Sequence, residues 1–147
     1  MTNIVLKEMK IADSNKCSFC HEQRDSIQHF LWRCQFVQRF WLDYEKLVNE
    51  KCSLASNMKL NENIVLFGTD LGFRTDAVTD FIIVSAKYYI FRCKISNTHP
   101  CIGHFTRELK HRYRIEEYNA KVCGQEHKFH RDWLFHTAIF DSIENLN

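Results

Sequence analysis

Residues 17–41 read CSFCHEQRDSIQHFLWRCQFVQRFW, and four side chains in this stretch decide how the rest of the chain is read. Cys17 and Cys20 form a CxxC pair, His29 follows after eight intervening residues, and Cys34 after four more. A CxxC pair on a tight turn presents two thiolates to one metal ion. Ligands on the first turns of a following helix then close a tetrahedron, the geometry of structural zinc. His29 and Cys34 lie roughly within the one-turn reach that such sites use. Cys17, Cys20, His29 and Cys34 are therefore read as a structural zinc site holding one ion per chain. Four protein ligands leave no open position for an activated water. The competing reading is two buried cysteines, one satisfied histidine and a chance CxxC. A redox CxxC is disfavoured, because no strand–CxxC–helix pattern precedes it. His21 also competes, but adjacent residues rarely both reach one ion.

Outward from this stretch the pattern is helical. Residues 1–14 offer a short helix or lead-in with Ile4, Leu6, Met9 and Ile11 for packing. A helix capped by Asp25 or Ser26 is expected to run on through Phe30, Cys34, Val37, Phe40, Trp41, Tyr44, Leu47 and Val48, which follow three-and-four spacing. Residues 1–50 thus form a CCHC knuckle and its following helix. Residues 51–75 read as connecting loops marked by Asn57, Asn61, Asn63, Gly68 and Gly72, with Ile64–Phe67 a short extended segment of ambiguous type.

Residues 76–147 read as a helical C-terminal region. One helix spans 76–97, with a stripe of Val78, Phe81, Ile82, Ser85, Ala86, Tyr89, Ile90 and Cys93, and is broken ahead of Pro100. Another runs from Ile102 to about Lys121, burying Ile102, Phe105, Leu109 and Tyr113. The last spans Lys128 to Ile143 and buries Phe129, Trp133, Ala138 and Phe140, with a hinge at 121–128. The fold class is mainly α: a zinc knuckle followed by a bundle of about four helices. Its aromatic body is expected to stand without the metal.

Composition bounds the function. The 147 residues are 45% apolar and 14% aromatic, enough for one packed domain rather than a disordered chain. No run approaches the roughly 18 apolar residues of a membrane span; Phe81 to Ile90 is interrupted by Ser85 and Lys87. No signal peptide is legible at the N-terminus. The chain is read as intracellular, cytoplasmic and/or nuclear, and not secreted, which suits seven reduced cysteines. Cys52 reads as an inert thiol. Second ligand sets stay open at Cys93, His99, Cys101 and His104, and at Cys123, His127 and His130.

Charge is unevenly placed. Residues 81–131 carry ten Lys/Arg against four Asp/Glu, a net +6, and five histidines, while the whole chain is only +2. A basic middle points to an anionic partner. Lys87, Arg92, Lys94, Arg107, Lys110, Arg112 and Arg114 are the candidate phosphate contacts, with Tyr88, Tyr113 or Trp32 available to stack on bases.

The 17–41 string resembles the zinc-binding segment that follows the polymerase core in reverse transcriptases of LINE-type (non-LTR) retrotransposons. Cys17, Cys20, His29, Phe30, Leu31, Cys34, Phe40 and Trp41 occupy the places of that pattern. The downstream FIIVSAKYYIFRCKISNTHP and FTRELKHRYRIEEYNA are similar to such C-terminal regions, including Lys87-Tyr88-Tyr89-Ile90 and Cys93-Lys94. The likeness covers most of residues 1–125. It implies an accessory domain of a retrotransposon polyprotein that holds RNA, and DNA as a further candidate, beside a polymerase core. It implies no catalysis here, because the paired aspartates of a polymerase palm and the endonuclease motifs are missing. With Met1 so near the knuckle, a fragment or truncated copy is expected. The alternative is a structural or protein-interaction module that docks on a polymerase core or a host partner.

Overall fold

The computed structural model describes residues 2–11, 13–52, 57–68 and 77–140. It is mainly helical: α1 (Asn3–Glu8), a π-helical turn (His29–Arg33), α2 (Gln35–Lys51), α3 (Glu62–Phe67), α4 (Ala77–Ile95), α5 (Ile102–Val122) and α6 (Glu126–Trp133). Among the described residues there is no strand, only an isolated antiparallel bridge between Lys16 and Arg24. Nor is any helix there long and apolar enough to cross a membrane. The expected loops at 53–56 and 69–75, and the end of the last helix at 141–143, lie outside the described residues.

The helix expected from residue 25 through 48 is broken. Cys34 N–H bonds His29 C=O at 2.8 Å, a five-residue π closure. Cys34 itself is extended (φ −64°, ψ 130°) before α2 begins. From there α2 buries Val37, Phe40, Trp41, Tyr44 and Val48, the expected stripe. The Trp41 indole N–H donates to Leu31 C=O at 2.8 Å and locks α2 against the π turn.

Ile64–Phe67 is helical, not extended. Asn61 caps α3 by accepting from Ile64 N–H at 2.9 Å, Glu62 sits in its first turn, and Gly68 ends it at φ +83°. These end signals outweigh the strand preference of the apolar run. Arg33 then grips Glu62 with two bonds, 2.9 and 3.2 Å, and fixes α3 to the π turn.

Left-handed residues close α4 and α5. Asn97 (φ 50°) ends α4, with Thr98 N–H bonding Cys93 C=O at 2.9 Å. Gly124 (φ 69°) ends α5 in the same way, with Gln125 N–H reaching Ala120 C=O at 2.7 Å. The hinge expected at 121–128 is thus one tight cap, and α6 follows it directly. That last helix stops at Trp133, short of expectation. Beyond it the chain turns so that His136 Nε2 lies 3.1 Å from Thr79 Oγ1 on α4 and Phe140 reaches the aromatic cluster.

Two aromatic clusters fill the interior. Phe40 lies 5.2–5.9 Å from the rings of Trp41, Tyr89 and Phe105. Tyr113 lies 5.0–5.3 Å from Phe129, Trp133 and Phe140. The Tyr89 hydroxyl pins the α4–α5 turn, donating to Cys101 C=O (3.2 Å) and accepting from Cys101 N–H (3.1 Å). Phe40 is 1% exposed at the centre of the first cluster. Phe40→Ala should therefore cost about 3–5 kcal/mol, read from the shift of a chemical denaturation midpoint.

Candidate metal centre and basic surface

The knuckle is a short hairpin. Cys17 N–H bonds Gln23 C=O at 2.8 Å, Asp25 N–H bonds Asn15 C=O at 2.9 Å, and His21 takes a left-handed φ of 56°. This turn lifts Cys17 and Cys20 to one side. Across from them the π turn presents His29, and the extended residue after it presents Cys34. The four ligand atoms all lie within 4.8 Å of one another. Cys17 Sγ and Cys34 Sγ are 3.9 Å apart, and Cys20 Sγ and His29 Nε2 are 3.4 Å apart. A tetrahedron with Zn–S near 2.3 Å and Zn–N near 2.0 Å requires about 3.8 Å and about 3.5 Å for these edges. The group is close enough to hold a metal ion, and its dimensions are compatible with zinc. His21 lies outside it. Among the described residues no other set of three or more His, Cys, Asp or Glu comes together in this way, so neither alternative ligand set is assembled.

Cys17 and Cys34 share one proton between two sulfurs. The Cys17 thiol is held down to about 5 from its ordinary 9.0, chiefly because Cys34 shares a proton with it, and further by the amides of Cys20 and Phe19. Cys34 is pushed up by that same hydrogen bond and by burial.

Behind the ligands sits a buried ion pair. Asp25 is 0% and Lys94 6% exposed, and the Lys94 ammonium bonds Asp25 Oδ2. The same oxygen accepts from Asn3 N–H at the start of α1, and the ammonium lies 4.8 Å from the Phe30 ring. Lys94 is therefore enclosed in the core and is not a phosphate contact, a correction of the sequence reading. The knuckle residues Cys17, Phe19, Phe30 and Cys34 belong to the same contiguous core as the helices. The helical body therefore packs directly against the knuckle.

The other basic candidates divide by helix face. Arg92 is paired with Glu108. Arg92 and Arg112 both lie over the Tyr88 ring, at 5.8 and 5.3 Å. Lys87 and Lys110 are half-buried, while Arg107 and Arg114 are exposed. Tyr113 belongs to the second aromatic cluster, where burial and Glu117 push its hydroxyl up to about 12. It is packing, not a stacking platform. Trp32 is half-buried against the core.

The sequence reading missed that Arg107, His111, Arg114, Tyr118 and Lys121 share one pole of α5, all exposed. Their three-and-four spacing was the available signal. No acid lies on that pole, and none of the five has a partner among the described residues. The chain matches no protein-family model, and no curated protein or solved structure is significantly similar to it.

Because a metal must displace the proton shared by Cys17 and Cys34, uptake should release protons and weaken as pH falls towards 5. Titration against a competing chelator from neutral to acidic pH checks this. An affinity independent of pH would exclude thiolate ligation.

Proposed function

We propose that the chain is a nucleic-acid-binding accessory module, with RNA as its first partner and DNA as its second, built on one structural zinc ion held by Cys17, Cys20, His29 and Cys34. The observation that carries the reading is the outward pole of α5. Arg107, Arg114 and Lys121 stand seven residues apart on it, each step about 10.5 Å along the axis. His111 and Tyr118, which is 68% exposed, lie between them. Cations interleaved with an aromatic suit a phosphate backbone with an unstacked base. A second cation–aromatic group lies where α4 meets α5: Tyr88 is 50% exposed and flanked by Arg92 and Arg112.

Zinc fills a stabilising role here, because four protein ligands leave it no vacant position. Structural zinc supplies on the order of 10 kcal/mol or more of folding free energy in small fingers. The resemblance to the C-terminal segment of LINE-type reverse transcriptases supports the same reading. A module beside a polymerase core would hold the strand that the core acts on, without catalysis of its own. A protein-docking reading is favoured by one observation, the exposed Ile115, Tyr118 and Val122 along α5.

Salt dependence separates the two. Each single-strand phosphate neutralised adds about 0.7 to the slope of log affinity against log salt. Replacing Arg107, Arg114 and Lys121 together with Gln should lower that slope by about 2 and weaken unrelated sequences about equally. An unchanged slope with intact folding would favour protein docking. Elemental analysis should give one zinc per chain, lost in Cys17→Ser and His29→Ala; two ions, or none, would refute the assignment.

A further inference from the structure

Two buried polar atoms of the knuckle are left over once its hydrogen bonds are assigned. Asp25 is 0% and His29 4% exposed, and neither Asp25 Oδ1 nor His29 Nδ1 has a hydrogen-bond partner among the described residues. The second polar atom of each side chain is engaged. Asp25 Oδ2 accepts from Asn3 N–H and from the Lys94 ammonium. His29 Nε2 lies 3.4 Å from Cys20 Sγ and faces the four-ligand group. A buried acceptor and a buried ring nitrogen are each costly to leave without a partner.

The backbone brings the two residues close. Ser26 Oγ accepts from His29 N–H at 3.1 Å, and Ser26 C=O accepts from Phe30 N–H at 2.9 Å, so this turn folds His29 back onto the residue that follows Asp25. Lys94 spans the same place, its ammonium on Asp25 Oδ2 and 4.8 Å from the Phe30 ring. The two leftover atoms are also complementary. A neutral imidazole that ligates through Nε2 carries its proton on Nδ1 and needs an acceptor there. Asp25 Oδ1 is the one buried side-chain oxygen left open on the knuckle among the described residues.

We propose that Asp25 is the positioning residue of the metal centre: with a metal ion on His29 Nε2, the Asp25 carboxylate accepts the Nδ1 proton through Oδ1, directly or through one water. Ligating histidines commonly donate the second ring N–H to a carboxylate, which fixes the tautomer and the ring orientation. One buried carboxylate then serves three donors, His29, Asn3 and Lys94, and links the metal centre to the end of α4. The inference rests on the metal assignment of Cys17, Cys20, His29 and Cys34, and it is independent of any nucleic-acid partner.

The test uses the full chain loaded with zinc and carrying isotope-labelled histidine rings. Magnetic resonance should show His29 ligated through Nε2, with its Nδ1 proton shifted downfield by the carboxylate. Two variants break the buried ion pair equally but treat His29 differently. Lys94→Gln leaves both carboxylate oxygens in place and should keep the downfield proton. Asp25→Asn has one acceptor oxygen, which Asn3 N–H claims, and should lose that shift. It should also bind zinc about 10–100-fold more weakly than Lys94→Gln does. Equal losses in the two variants would reduce Asp25 to its ion pair and overturn the proposal. Should either variant fail to fold, the native chain decides. An Nδ1 proton at the position of an unbonded imidazole, or zinc on Nδ1, overturns the role of Asp25 while leaving the zinc site standing. A chain that takes up no zinc ends both.

Discussion

Two side chains five residues apart on a regular α-helix point about 140° away from each other. His29 and Cys34 meet at one point only because the chain abandons that helix between them. The π closure from Cys34 N–H to His29 C=O adds a residue to the turn, and the extended backbone at Cys34 swings its sulfur back to the knuckle. Much of the remaining architecture follows from this interruption. The restart at Gln35 sets the direction of α2, brings Trp41 onto Leu31 C=O, and turns Phe40 toward Tyr89 and Phe105. A π turn is an uncommon local structure that recurs at functional sites, and here it brings the four candidate ligands together.

The second tie is electrostatic. Asp25 and Lys94 lie 69 residues apart and are removed from water together, joining the knuckle to the end of α4. Such a pair contributes little net stability, since desolvation offsets its attraction, yet losing one partner strands a buried charge at a cost of about 3–5 kcal/mol. Its effect is to fix register. Asn3 completes the arrangement through its backbone N–H on Asp25 and its side-chain amide on Lys16 C=O at 2.7 Å. The first helix is thereby held by polar bonds, since it buries no residue of its own.

The parts legible in the sequence were those carried by periodicity and ligand spacing. The stripe Val37–Phe40–Trp41–Tyr44–Val48, the long helices at 77–95 and 102–122, and the grouping of Cys17, Cys20, His29 and Cys34 all follow from local pattern. The break at Cys34 was not legible, because an apolar residue on a helical stripe also fits a ligand at a helix start. Lys94 was misread for a related reason. A cation inside a basic block looks solvated until its partner, far away in sequence, is brought to it. On α5 the block RELKHRYR drew attention to charge density, whereas the outward pole is defined by spacing that runs on to Tyr118 and Lys121. Tyr113, inside that block, faces the other way.

One further property follows from the way α5 threads both aromatic clusters. Phe105 belongs to the cluster around Phe40, and Tyr113, two turns on, to the cluster around Trp133. The first cluster is continuous with the knuckle and is closed on several sides. The second is completed by α6, the turn that follows it and Phe81 of α4, whose ring lies 5.9 Å from that of Trp133. In terms of cooperativity the molecule is therefore graded along a single rod. The end of α5 with α6 is expected to open as a subglobal unit before the knuckle end. Slow and fast amide exchange should then divide within one uninterrupted helix, and the boundary should fall between Leu109 and Tyr113.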